Sequence, residues 1–118
     1  METTTFKSEA HLQSHCYQWA HNTFPDTRGL LFAVPNGGTR NKIEATQLTA
    51  TGVVSGVADM LFLWHYKTYA FEFKFGDRKQ SPAQKEWEAK VKDHIAHYFL
   101  LNDANAFKEI FKTIVNAN

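Results

Sequence analysis

Val57-Ala58-Asp59-Met60-Leu61-Phe62-Leu63 and Tyr69-Ala70-Phe71-Glu72-Phe73-Lys74-Phe75 are two apolar runs separated by Trp64 to Thr68. Both are strand-like, and the gap suits a hairpin. Side chains alternate along a strand, so Phe71, Phe73 and Phe75 share one face while Glu72 and Lys74 share the other. A hairpin folded about His65 and Tyr66 sets Asp59 opposite Glu72, since the two are equally far from the turn. Opposed residues of an antiparallel pair lie about 4.5–5.5 Å apart. Two carboxylates at that spacing repel, and a divalent cation between them turns the penalty into binding energy. Ligation by oxygen alone suits Mg²⁺ or Mn²⁺. Each signal also has an ordinary reading: Glu-x-Lys as a solvated face, and Asp at a strand start as turn chemistry. A slip of one residue would send Asp59 to the other face.

Working outward, a first helix is expected from about Ser8 to His21, with Leu12, Cys16, Trp19 and Ala20 as its buried stripe. Phe24, Pro25, Asp26 and Gly29 break it, and Leu30 to Val34 reads as a short buried strand ended by Pro35-Asn36-Gly37-Gly38. A second helix spans about Thr39 to Thr51, with Gly52 at its C-terminal stop. After the hairpin, Ser81-Pro82-Ala83-Gln84 is a helix start in which Ser81 caps and Gln84 reaches back. Trp87 and Val91 would be that helix's buried stripe. Ile95 to Leu101 reads as a last strand, and Asn102 or Asp103 caps a final helix with an apolar face of Phe107, Ile110, Phe111, Ile114 and Val115. The order helix, strand, helix, hairpin, helix, strand, helix implies an α/β fold: a mixed sheet of about four strands with helices on both faces.

The 118 residues suit one domain, 1–118, and the 43% hydrophobic content is enough for a core. No apolar run approaches the roughly 20 residues needed to span a bilayer. The segment Met1 to Lys7 has no apolar signal stretch behind it, so no membrane association is expected. A single cysteine, Cys16, excludes an internal disulfide and fits a reducing cytosol. The net charge of +1 leaves nucleic-acid binding to a local patch rather than to bulk attraction.

Asn36-Gly37-Gly38, Gly52-Val53, Gly56-Val57-Ala58-Asp59, Glu72-Phe73-Lys74 and Ser81-Pro82-Ala83-Gln84 follow one another along the chain. In this series the sequence resembles a stand-alone VRR-NUC domain, a branch of the PD-(D/E)xK nuclease superfamily, over roughly Ser8 to Phe111. One departure is Ala58, where the family commonly has proline; that position carries no ligand atom. The resemblance implies a restriction-endonuclease-like fold and metal-dependent hydrolysis of DNA. Asp59 and Glu72 would bind the metal, helped by the backbone carbonyl of Phe73, while Lys74 would position or deprotonate the attacking water. Structured or branched DNA is the expected substrate, as for a junction resolvase, with nick- or flap-directed repair as the alternative. Stand-alone members are thought to pair, so a homodimer is expected.

Other residues keep two readings. Glu9 matches the family's additional acidic residue, and is also a carboxylate near a helix N-terminus, stabilising by a few tenths of a kcal/mol. Gln84 belongs either to the active site or to the capping box alone. Asn36 and Gly37 could present amides to a phosphate or form a plain turn. Arg40, Lys42, Arg78, Lys79 and Lys85 flank the site as candidate phosphate contacts, though Arg78-Lys79 is also an ordinary loop pair. His11, His15 and Cys16 invite a zinc reading, but Leu12 stands where a zinc helix would carry glutamate. His94 and His97 would straddle a helix end, and Phe6, Phe24, Trp64 and Tyr66 lie in or near loops, within reach of an interface. Two non-enzymatic classes remain: a DNA-binding module that kept the fold, and an interaction domain in which the carboxylates are coincidental.

Overall fold

The hairpin fixes the register on which the rest is built. In the computed structural model, which describes residues 6–35 and 42–117, β2 (Met60–Trp64) and β3 (Lys67–Phe73) pair antiparallel from Trp64↔Lys67 to Met60↔Phe71. This is the register expected about His65 and Tyr66, but the turn is tighter than the five-residue gap. Only those two residues form it, at φ 48° and 68°. Two successive left-handed residues give the turn a twist that matches paired strands. The usual Asn-Gly signal is missing, so the pattern reads longer than the turn is.

β2 begins three residues later than the apolar run suggests, and β3 ends two residues earlier. The cause is Asp59. Its carboxylate Oδ2 accepts the Phe73 N–H at 2.7 Å, taking the donor that a continuing ladder would have paired with the carbonyl of residue 58. Its carbonyl still accepts the Val34 N–H at 2.8 Å, extending the pairing with β1 (Leu31–Ala33). β1 is a three-residue edge rather than a buried strand. Leu31 is buried, whereas Phe32 and Ala33 are exposed. β4 (His97–Leu101) lies parallel to β3 with Glu72 level with Leu100, giving a four-stranded mixed sheet in the order β1-β2-β3-β4.

One sheet face carries the core. Met60, Phe62, Phe71, Phe73 and Leu101 pack there against α1 (Glu9–Thr23) and α4 (Ala104–Asn116). Ser8 caps α1, accepting the His11 N–H, and Leu12, Cys16 and Ala20 are its buried stripe. Trp19 is only half-buried, with its ring edge against Phe107 and Phe111. Asp103 caps α4, which buries Ala104, Phe107 and Phe111, with Ile110, Ile114 and Val115 packed alongside. Phe62 and Phe111 meet at 4.6 Å between ring centroids, joining sheet and helix.

α2 runs Lys42–Ala50, and the expected start at Thr39 lies outside the described residues. It stops as expected: Gly52 adopts φ 102°, and Val53 and Gly52 return hydrogen bonds to the Leu48 and Thr49 carbonyls. α3 (Pro82–Val91) starts with the expected capping box between Ser81 and Gln84. It buries no residue fully, so Trp87 and Val91 are half-buried rather than a core stripe. The reason is what it touches. Through Trp87 and Gln84 it meets Tyr98, Glu72 and Lys74, which project from the polar side of the sheet. Phe6, Phe24 and Trp64 pack on the core, which leaves only Tyr66 of the four loop aromatics fully exposed. Among the described residues no helix is long and apolar enough to cross a membrane.

Candidate active site

Strand alternation puts Phe71 and Phe73 into the core and turns Glu72 the other way, yet Glu72 is completely buried, with Lys74 almost so. Burial on that face needs a cover, and the start of α3 supplies it. Gly56 lets the cover approach. It adopts φ 83°, and a Cβ there would collide with the Ala83 carbonyl and come within 2.9 Å of the Gln84 nitrogen. The loop that delivers Asp59 and the first turn of α3 are therefore in backbone contact.

Asp59, Glu72, Lys74 and Gln84 come together on this face. Gln84 Nε2 donates to Glu72 Oε2 at 2.8 Å, and its Oε1 accepts both the Lys74 Nζ at 2.9 Å and the Ser81 N–H at 2.8 Å. The two readings of Gln84 are thus compatible: one side chain closes the capping box and reaches the acidic pair. Lys74 Nζ also lies 3.4 Å from Glu72 Oε2.

Asp59 and Glu72 are close enough for each to perturb the ionisation of the other. Burial pushes Glu72 up to about 8, the Asp59 charge adds to the shift, and Lys74 opposes it. Burial also raises Asp59, against the Phe73 N–H, its hydrogen bond with Glu72 and the Lys74 charge; the charge of Glu9 adds a further upward push. α1 thus brings Glu9 close enough for its charge to be felt at Asp59. Glu9 Oε1 is shielded from solvent and takes no hydrogen bond, with Arg78 Nε 3.8 Å away.

These features fit a divalent cation. Two acids that raise each other's cost of ionisation stand side by side, and the shielded Glu9 oxygen takes no hydrogen bond. Residues of an extended strand send N–H and C=O to the same flank, so the Phe73 carbonyl leaves on the flank where its N–H meets Asp59. Among the described residues no three His, Cys, Asp or Glu side chains cluster to hold a metal alone. Two carboxylates, one carbonyl and retained waters suit Mg²⁺, which gives up its hydration reluctantly.

Of the candidate phosphate contacts, Asn36, Gly37 and Arg40 lie outside the described residues, and the side chain of Lys42 is likewise not described. Arg78 leans on Glu9, while Lys79 and Lys85 are exposed. His11 Nδ1 accepts the Lys7 N–H, and the Phe6 ring meets both His11 and His15 edge-on. Burial lowers His15 and pushes the Cys16 thiol up to about 12, leaving an inert core sulfhydryl. His94 follows the end of α3, and His97 opens β4 against Phe99.

Two polar residues at the site carried no signal in sequence. Tyr98 shares the Glu72 face because β4 is parallel to β3, and its hydroxyl lies 3.5 Å from Glu72 Oε1. Gln80 Nε2 donates to that hydroxyl at 3.2 Å and to Glu88 Oε1 at 3.0 Å. Burial, and next the Glu72 charge, hold the Tyr98 phenol well above its usual range. Alternation along the last strand would have put Tyr98 on one of two faces, but which one depends on a long-range register.

No family model and no curated protein matches the sequence. Among solved structures, one described as a VRR_NUC domain protein matches with a TM-score of 0.72 at 17% identity, covering 95% of this chain and 91% of that one. The chain therefore has a VRR-NUC-like fold.

Proposed function

We propose that this protein is a divalent-metal-dependent DNA endonuclease acting on structured or branched DNA. The observation that carries the reading is the pairing of half-buried Asp59 with fully buried Glu72 beside Lys74. Two carboxylates held this close resist ionising together, and a cation between them would offset that cost. The VRR-NUC-like fold supports the same chemistry.

Asp59, Glu72 and the Phe73 carbonyl would hold Mg²⁺ or Mn²⁺, with Glu9 joining through water. When bound, the metal lowers the pKa of a water and polarises a phosphoryl oxygen. Lys74, kept beside Glu72 by Gln84, would orient the attacking water and offset charge growing at the phosphate. Arg78, Lys79 and Lys85, with Asn36, Gly37, Arg40 and Lys42, provide the phosphate contacts that a net charge of +1 does not supply globally. The buried thiol of Cys16 suits the reducing cytosol, and a role in DNA repair follows from the class of substrate.

A homodimer matches the reading, because one small domain offers a limited footprint and a twofold axis doubles it. Light scattering at micromolar concentration reads the state directly; a monomer that makes paired incisions in a four-way junction would remove the dimer.

The function is tested with labelled four-way, flap, nicked, linear and single-stranded DNA in Mg²⁺ or Mn²⁺ against EDTA. Metal-dependent cutting that favours branched DNA is expected. Preference for nicks or flaps would move the role to single-strand repair, and metal-independent binding without cutting would leave a DNA-binding module.

A further inference from the structure

We propose that Tyr98, held by Gln80, is a positioning residue for Glu72 in the metal site proposed above. The two oxygens of Glu72 are served unequally. Oε2 receives Gln84 Nε2 at 2.8 Å and lies 3.4 Å from Lys74 Nζ. Oε1 faces the Tyr98 hydroxyl at 3.5 Å.

The direction of the Tyr98 proton follows from Gln80. An amide nitrogen only donates, so in the 3.2 Å contact with Gln80 Nε2 the phenol oxygen is the acceptor. Its own proton is then left to point onward to Glu72 Oε1. The second proton of Gln80 Nε2 goes to Glu88 Oε1 at 3.0 Å, which ties the chain to α3. Glu88, Gln80, Tyr98 and Glu72 thus form one directed series running from helix to strand.

At 3.5 Å the last contact is long for a hydroxyl donor. An ionised carboxylate, the form that a metal requires, is the stronger acceptor. With Gln84 at one oxygen and Tyr98 at the other, rotation of the carboxylate about its terminal bond is restrained. Partners of this kind orient metal-binding carboxylates, and losing one costs roughly 10–100-fold in metal affinity. Tyr98 also packs on Trp87, with ring centroids 6.0 Å apart, so a purely structural role must be separated from the positioning one.

Tyr98→Phe keeps the ring and removes only the hydroxyl. Wild type, Tyr98→Phe, Gln80→Leu and the double variant are titrated with Mn²⁺ by calorimetry, with thermal midpoints of the metal-free proteins measured in parallel. Tyr98→Phe should bind Mn²⁺ about tenfold more weakly with little change in its metal-free midpoint. The double variant should be no weaker than Tyr98→Phe, because Gln80 acts through Tyr98. Unchanged Mn²⁺ affinity in Tyr98→Phe, with wild type binding normally, overturns the positioning role alone. Losses that add in the double variant overturn the directed series. No Mn²⁺ binding by wild type overturns the metal site, and this inference with it.

Discussion

Gln84 and Glu72 sit twelve positions apart on different elements, yet Gln84 Nε2 donates to Glu72 Oε2 at 2.8 Å while its Oε1 still closes the cap on Ser81. A helix start and a buried acid are thereby one unit. The first turn of α3 is set by the same amide that holds the carboxylate and, through Oε1, the Lys74 ammonium.

Two substitutions separate these duties. Ser81→Ala removes the cap alone and should cost about 1 kcal/mol of stability with cleavage largely retained. Gln84→Ala should cost at least as much and also release Lys74 and Glu72, so cleavage falls far beyond the loss of folded protein. Urea midpoints beside initial cleavage rates check both. Equal rates for the two variants would reduce Gln84 to a capping residue.

Glu72 links the site to pH. Its pKa rises from 4.5 to about 8 on folding, so between those values the folded protein holds more protons than the unfolded chain. Stability from this group is present at low pH and is lost as pH rises through about 8. Asp59, also raised, acts in the same direction. His15, lowered by burial, acts in the opposite one, so the informative comparison is with Glu72→Gln. Urea unfolding in EDTA across this range should show wild type losing stability with rising pH and Glu72→Gln losing much less. Parallel curves would mean that the carboxyls are already ionised.

Much of this geometry is legible in the sequence because it is local. The turn centre at His65 and Tyr66 sets the hairpin register by symmetry, and alternation then separates Glu72 from Phe71 and Phe73. Ser81 and Gln84 show themselves by their spacing. What stays hidden depends on contacts distant in the chain. Tyr98 needs the parallel register of β4, and the influence of Glu9 on Asp59 needs the docking of α1. The early end of the ladder needs a side chain, Asp59, to replace a backbone partner. Trp87 and Val91 read as a core stripe because periodicity reports an apolar face without saying that the surface opposite is polar.

Gly56 tests how tightly the two halves of the site are coupled. An added Cβ meets the Ala83 carbonyl, and the left-handed backbone strains any other residue by about 1–3 kcal/mol. Gly56→Ala should therefore destabilise by at least that amount, and in the folded fraction it should weaken Mn²⁺ binding by pulling Asp59 away from Glu72. Gly52→Ala is the control, because φ 102° strains it while nothing lies within 4 Å. Denaturation midpoints and Mn²⁺ titrations of both check this. Equal metal affinity in the two variants would show that the Gly56 contact matters only for stability.

In the proposed function Asp59 and Glu72 are the metal-binding acids of a nuclease, and each raises the cost of ionising the other until a cation binds. The most direct test is cleavage of a labelled four-way junction in Mg²⁺ by wild type and Glu72→Gln, prepared side by side and shown to be equally folded. Wild type should cut and lose activity in EDTA, while Glu72→Gln should not cut. Cleavage by Glu72→Gln at the wild-type rate, or no cleavage by wild type on any DNA structure with Mg²⁺ or Mn²⁺, would contradict it.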